Sequence, residues 1–180
     1  MPAPSSPFST DHYLYKMLYE PAAAQICFIH PNYITGAALL MTVPIVLALL
    51  YRWTLGPLLL LIAIRTVLDC MDGAVARACD LKSPFGSLFD HATDNVFNLA
   101  VVTTVAYMVA KRSGFVLGTK TCIAVAVCLV TLVGVLYSSS LIEADPNMNS
   151  QPDLFVFLHD NMLLSMMLYG CVAWWLANRF

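Results

Sequence analysis

Charged side chains are scarce in this sequence. Only 11% of the 180 residues are charged and 59% are hydrophobic, whereas soluble globular domains carry roughly a quarter charged residues. The formal net charge is only -2, and there is no basic run that could follow a nucleic acid backbone. The composition therefore predicts a membrane protein and argues against nucleic acid as a partner.

The sequence signals of a domain boundary and of a cleaved leader are also missing. No Gly/Ser linker or charge block divides the chain, so we expect a single membrane domain over residues 1–180. Residues 1–7 lack the positive region and following apolar run of a cleaved secretory signal. We therefore expect internal spans to insert the chain into a membrane.

The cysteines form no C-x-x-C pair and no Cys/His cluster with the spacing of a zinc site. Most stand singly in apolar stretches, so we expect most of them to be small hydrophobic core residues. The six positions are Cys27, Cys70, Cys79, Cys122, Cys128 and Cys171.

Apolar stretches dominate the rest of the chain. A spanning helix needs roughly 20 apolar residues, and five windows meet this condition: Tyr33–Tyr51, Leu55–Ala78, Pro84 to the residue before Lys111, Phe115–Leu141 and Leu154–Ala177. Asp11–Ile29 mixes apolar and charged residues, which is typical of an interfacial amphipathic helix. The sequence thus predicts an all-α transmembrane bundle of five to six spans, preceded by a tail and interfacial helix over residues 1–32.

The second and third windows are joined by a short loop. Ser83 can cap free backbone N–H groups, and Pro84 is tolerated at the first helical position, so the third helix should begin there. Two helices joined so tightly are antiparallel neighbours. Their facing ends can build one site.

Charge is concentrated at those facing ends. Seven charged residues lie within residues 69–94, although an unpaired charge inside a bilayer costs roughly 2.5–3.5 kcal/mol. Residues three and four apart share a helix face, so two stripes should meet there and collect four carboxylates, a donor set that suits Mg²⁺ or Mn²⁺. The stripes are Asp69, Asp72, Gly73 and Ala76 on one helix, and Gly86, Asp90 and Asp94 on the other.

The small residues and the arginines nearby suggest a phosphate ligand. Gly73, Ala76 and Gly86 permit either a close helix crossing or a flat ligand against the backbone. Arg77 carries a planar fork suited to phosphate. Arg65 lies one turn before Asp69, so it could pair with that carboxylate or reach an acceptor phosphate. The sequence leaves both roles of Arg65 open.

Read in order, the residues are Asp69-x-x-Asp72-Gly73-x-x-Ala76-Arg77, eight further residues, and Gly86-x-x-x-Asp90-x-x-x-Asp94. This pattern resembles the complete signature of the CDP-alcohol phosphotransferase family, also called CDP-alcohol phosphatidyltransferases. The segment Pro31-Asn32-Tyr33-Ile34-Thr35 is similar to a Pro-Asn-x-Ile-Thr segment common in that family.

The resemblance implies a membrane transferase of phospholipid synthesis that displaces CMP from a CDP-linked alcohol with an acceptor hydroxyl. It implies that Asp69, Asp72, Asp90 and Asp94 hold Mg²⁺ or Mn²⁺, as two ions, and that Asp94 is also the general base. It further implies a homodimer among membrane lipids. By the same resemblance the residues that bind the CDP moiety are Gly73, Ala76, Arg77, Gly86, Asn32 and Thr35.

Several alternatives stay open. The chain length resembles that of the family members that use CDP-diacylglycerol, which favours this donor. The few nearby cations favour a neutral or zwitterionic acceptor such as inositol, serine or choline. Residues 83–91 instead resemble choline and ethanolamine phosphotransferases, which use diacylglycerol. Family members usually have six spans, so the chain could also be a structural subunit of a larger membrane complex. The acids alone would fit a cation transporter. The membrane would be the endoplasmic reticulum or inner mitochondrial membrane of a eukaryote, or a bacterial plasma membrane.

Overall fold

The structure, a computed structural model, describes residues 14–112 and 162–179, and its elements there are all helical. This confirms the predicted all-α class for the described residues. A π-helical turn, Tyr15–Tyr19, leads into α1 (Glu20–Gln25), followed by α2 (Pro31–Leu40), α3 (Thr42–Leu50), α4 (Leu55–Ala78), α5 (Pro84–Arg112) and α6 (Met162–Arg179).

The first predicted span is a pair of helices that meet at Met41. Pro44 explains the break, because it has no N–H and its ring crowds the carbonyl of Leu40, four residues earlier. Met41 still donates its N–H to the carbonyl of Ala37 at 3.1 Å, so the chain continues in nearly the same direction. Among the described residues, Pro31–Leu50 is the one stretch long and apolar enough to cross a membrane.

Of the other predicted spans, the second and third are described in full and the fifth in part. At 1.5 Å per residue, α4 and α5 are about 36 and 43 Å long, enough to cross a bilayer, but they carry the signature charges. The window Phe115–Leu141 and the beginning of Leu154–Ala177 lie outside the described residues. The number of spans stays a prediction.

The turn between α4 and α5 is short and well capped. The N–H of Gly86 donates to the Ser83 hydroxyl at 3.0 Å, which confirms the helix start expected at Ser83-Pro84. At the end of α4, Asp80 has a φ of 55°, and Leu81 donates its N–H to the carbonyl of Ala76 at 3.0 Å. This is the geometry of a Schellman cap. It reverses the chain and brings the two signature stripes to the same end of the bundle.

The opposite end is held by packing and by polar contacts between turns. The indole N–H of Trp174 donates to the carbonyl of Trp53 at 2.9 Å, and Arg112 donates to the carbonyl of Asn178 at 3.1 Å. These contacts join α6 to α5 and to the turn that precedes α4. Buried apolar residues of α3, α4, α5 and α6 fill the space between them: Ile45, Leu49, Leu58, Ile62, Phe97, Val101, Val105, Val109 and Leu176.

Gly170 of α6 packs against Leu59 and Ile62 of α4. A Cβ atom at this position would lie 2.4 Å from Cδ1 of Ile62 and 3.3 Å from Cδ2 of Leu59. With a side chain at this position, Ile62 would have to move or the helices would have to separate. Small residues have this role at many helix interfaces in membranes.

The N-terminal segment packs on the last turns of α4. Tyr19 and Ala23 are buried against Ala74 and Val75. The predicted interfacial position of this segment stays a prediction, although the segment is helical from residue 14 to residue 25.

Two cysteines behave differently from our expectation. Cys27 and Cys79 form a disulfide with Cα atoms 5.6 Å apart, so the prediction that most cysteines are hydrophobic core residues was wrong for this pair. The sequence could not show it, because 52 positions separate the two and the fold alone brings them together. Cys70 and Cys171 are not part of a disulfide.

Candidate active site

Three signature carboxylates converge between α4 and α5. Asp69 extends from α4, while Asp90 and Asp94 extend from successive turns of α5. One oxygen of each lies within 4.8 Å of the others. Asp69 is buried, and the other two are partly exposed. The structure therefore brings together three of the four carboxylates that the sequence predicted to meet.

The fourth carboxylate, Asp72, is turned toward α2. It is buried and accepts a hydrogen bond from the hydroxyl of Thr35. The beginning of α2, which carries Asn32 and Thr35, thus contacts the signature residues Gly86 and Asp72.

Arg65 lies beneath the carboxylates with no exposed surface. Its guanidinium donates to Asp94 and lies 3.5 Å from Oδ1 of Asp69. It also stacks on Phe97, with Cζ 4.2 Å from the ring centroid. Of the two roles that the sequence left open, the structure shows the ion pair. The partner Asp94 was not foreseen, since it lies on another helix.

The space beside the two signature glycines is used by polar side chains. A Cβ at Gly73 would lie 3.3 Å from Nη1 of Arg77. A Cβ at Gly86 would lie 3.0 Å from the Ser83 hydroxyl and 3.3 Å from Oδ1 of Asn32. Both glycines therefore leave room for groups that can bind a polar ligand at this end of the bundle.

Arg77 contacts a residue that the sequence did not single out. Its Nε donates to the hydroxyl of Tyr15 at 3.2 Å, and its Cζ lies 5.1 Å from the centroid of the Tyr15 ring. Tyr15 belongs to the N-terminal segment that was read as an interfacial helix. No pattern in the sequence distinguishes it from the other tyrosines there.

The comparison with protein families decides the class of this site. A model of the family described as CDP-alcohol phosphatidyltransferase matches residues 28–178, which include every signature position. The chain belongs to this family. Neither the curated proteins nor the solved structures gave a match. Membership supports transfer of a phospholipid head group from a CDP-alcohol, in a family that is typically embedded in membranes.

The carboxylates of this CDP-alcohol phosphatidyltransferase fit a divalent cation. Oδ1 of Asp90 is buried and has no hydrogen-bond partner among the described residues. Oδ1 of Asp69 is also buried without a hydrogen bond, and the Arg65 guanidinium lies 3.5 Å from it. Buried oxygens of this kind are costly unless a cation or donor satisfies them. Arg65 offers one positive charge to three carboxylates, so negative charge remains. Hard oxygen donors in this arrangement suit Mg²⁺ or Mn²⁺.

Proposed function

We propose that the protein transfers a phosphatidyl group from CDP-diacylglycerol to an acceptor alcohol. In this reaction the acceptor oxygen forms a bond to the phosphorus that carries the diacylglycerol. The bond from that phosphorus to the oxygen of CMP breaks, and CMP leaves. The observation that carries the proposal is the convergence of Asp69, Asp90 and Asp94 in a chain that matches the family over residues 28–178.

Asp94 is the proposed general base, because it is partly exposed and is one of the three carboxylates that converge between α4 and α5. It takes the proton from the attacking hydroxyl. Arg65 holds the Asp94 carboxylate through a partly buried hydrogen bond, which limits the positions that the carboxylate can adopt. Asp69, Asp72, Asp90 and Asp94 are the proposed ligands of the divalent ions, which when bound stabilise the negative charge that develops on the diphosphate.

The nucleotide is proposed to lie where α2, α4 and the start of α5 meet. Gly73, Ala76 and Gly86 line this region without bulky side chains, and Arg77 offers its guanidinium to phosphate. Asn32 and Thr35 approach from the first turn of α2, beside Gly86 and Asp72 respectively. These assignments complete the CDP-binding set that the resemblance implies.

A neutral or zwitterionic acceptor is supported by how the nearby cations are used. Arg65 is committed to Asp69 and Asp94 and is fully buried. Lys82 lies exposed in the turn between α4 and α5. A phosphorylated acceptor would need further positive charge near the carboxylates, so we favour inositol, serine or choline.

Replacing the proposed base tests the reaction. Asp94→Asn should lower CMP release from CDP-diacylglycerol by at least about 100-fold, since general bases typically contribute 10²–10⁴-fold. The purified protein would be assayed in detergent with Mg²⁺ or Mn²⁺, and again with EDTA, which should stop the reaction. Asp80→Asn is the matched control, because Asp80 is an exposed aspartate at the same end of the bundle.

Robust turnover by folded Asp94→Asn would overturn the assigned base. A donor and acceptor panel identifies the substrates: CDP-diacylglycerol with inositol, serine, choline or glycerol phosphate, and CDP-choline or CDP-ethanolamine with diacylglycerol. If product formed only with CDP-choline or CDP-ethanolamine, CDP-diacylglycerol would be the wrong donor. Absence of CMP release with every pair would contradict the transferase function.

A further inference from the structure

We propose that Tyr15 is a positioning residue for Arg77 and thereby helps to bind the diphosphate of the donor. The inference rests on the proposed function. It concerns a residue that lies before residues 28–178, the part of the chain that matches the family. The N-terminal helical segment would thus complete the nucleotide site.

The contact between the two residues restrains the guanidinium in two ways. The Nε–H of Arg77 donates to the Tyr15 hydroxyl at 3.2 Å, which fixes the edge of the guanidinium. The centroid of the Tyr15 ring lies 5.1 Å from Cζ of Arg77, and this contact restrains the face of the guanidinium. Arginine has a long side chain with many rotamers, and restraining it in advance lowers the entropy lost when it binds a ligand.

The restrained orientation leaves the fork of Arg77 beside a signature glycine. Nη1 and Nη2 lie 3.3 and 3.7 Å from the position where a Cβ of Gly73 would be. These terminal nitrogens carry the N–H groups that form bidentate bonds to phosphate oxygens. Because Tyr15 contacts Nε, the terminal nitrogens keep their place next to the open backbone of α4.

The segment that carries Tyr15 is itself fixed to α4. Tyr19 and Ala23 are buried against the last turns of α4. The disulfide joins Cys27 to Cys79, which lies two residues after Arg77. Tyr15 and Arg77 are therefore held by the same rigid end of the helix, although 62 positions separate them.

Tyr15→Phe is the decisive variant, since it keeps the ring and removes only the hydroxyl that accepts the hydrogen bond. We expect the KM for the CDP-linked donor to rise by about three- to tenfold with kcat unchanged within about twofold. An interaction made equally in the ground and transition states changes KM in this way. The affinity for CDP, measured without turnover from the ligand-dependent rise in Tm, should fall by the same factor. Tyr107→Phe, at the opposite end of α5, is the control.

A double-mutant cycle with Arg77→Lys separates positioning from a structural role. Lysine keeps the charge but lacks Nε, so adding Tyr15→Phe to Arg77→Lys should change KM by less than twofold. If KM and CDP affinity were unchanged in Tyr15→Phe, with or without a lower Tm, this inference would be wrong and the proposed function would stand. Fully additive effects of Tyr15→Phe and Arg77→Lys on KM would have the same meaning. A wild-type protein that releases no CMP would overturn the proposed function and this inference with it.

Discussion

Arg65 is a fixed cation within a site that is proposed to bind mobile cations. Its guanidinium is wholly buried between Asp69 and Asp94 and stacks on Phe97. Carboxylates as close as Asp69, Asp90 and Asp94 repel each other strongly where little water screens them. The permanent positive charge of Arg65 beneath them reduces this repulsion, so the three carboxylates can lie close together before any metal binds.

Removing this charge should make the fold depend on divalent metal. In Arg65→Met the buried carboxylates lose their counter-ion, so the free energy of unfolding should fall by about 3–5 kcal/mol in EDTA. Binding of Mn²⁺ then relieves a larger repulsion than in the wild type. The difference between the Tm in Mn²⁺ and the Tm in EDTA should therefore be larger for Arg65→Met.

Thermal unfolding in detergent, followed by near-UV circular dichroism, measures this difference. Lys82→Met is the control, since it removes an exposed cation from the same end of the bundle. An equal metal-dependent rise in Tm in the wild type and in Arg65→Met would contradict the proposed charge compensation.

Single residues could be predicted from the sequence where helical spacing decides their neighbours. Asp69, Asp90 and Asp94 were placed together because their spacing puts them on two facing stripes. The same reasoning offered Arg65 only its helix neighbour Asp69. The bond to Asp94 depends on how α4 and α5 rotate against each other, and the contact between Tyr15 and Arg77 depends on where the N-terminal segment docks. Spacing along one helix carries neither kind of information.

At the level of helices, the ends varied in how well the sequence marked them. Ser83-Pro84 is a strong start signal, and α5 begins there. Arg52 and Asp80 follow α3 and α4 with positive φ angles of 54° and 55°, a position that usually carries glycine. The capping is therefore visible only in the structure. Pro44 is a sequence signal for the break at Met41, but the continuous apolar stretch around it led to the prediction of a single helix.

The packing of α6 on α4 leads to a prediction about Gly170. Gly170→Ala places a Cβ 2.4 Å from Cδ1 of Ile62, so Ile62 must change rotamer or the helices must separate. Overpacking usually costs about 1–3 kcal/mol, and alanine regains about 1 kcal/mol because it favours a helix over glycine. We therefore expect a net loss of up to about 2 kcal/mol in stability. Ile62→Val removes the clashing methyl group. The double variant Gly170→Ala with Ile62→Val should therefore lose less stability than the sum of the losses of the two single variants.

The comparison uses unfolding midpoints in one detergent. Gly36→Ala is the control, because a Cβ there meets nothing within 4 Å and alanine favours a helix over glycine by about 1 kcal/mol. Strict additivity of Gly170→Ala and Ile62→Val would show that the two positions do not meet as the structure has them.

On the scale of the whole molecule, the disulfide should be the strongest single constraint. Loop-closure entropy gives a cross-link between Cys27 and Cys79 a stabilising effect of up to about 4 kcal/mol. Reduction, or the double change Cys27→Ala and Cys79→Ala, should lower Tm by several degrees, whereas Cys171→Ala should not. Intact mass after alkylation of the unfolded chain should show at least two more adducts with reduction than without it. Equal adduct numbers would mean that the bond is absent.

The same bond has a consequence for the connectivity of the polypeptide. It closes the backbone from residue 27 to residue 79 into a covalent ring that contains α2, α3 and all of α4. A single peptide cut inside the ring, for example after the exposed Arg52, opens the ring without dividing the molecule. The amino-terminal turn with Tyr15 and the carboxylate helices would stay on one covalent piece until a reductant separated them.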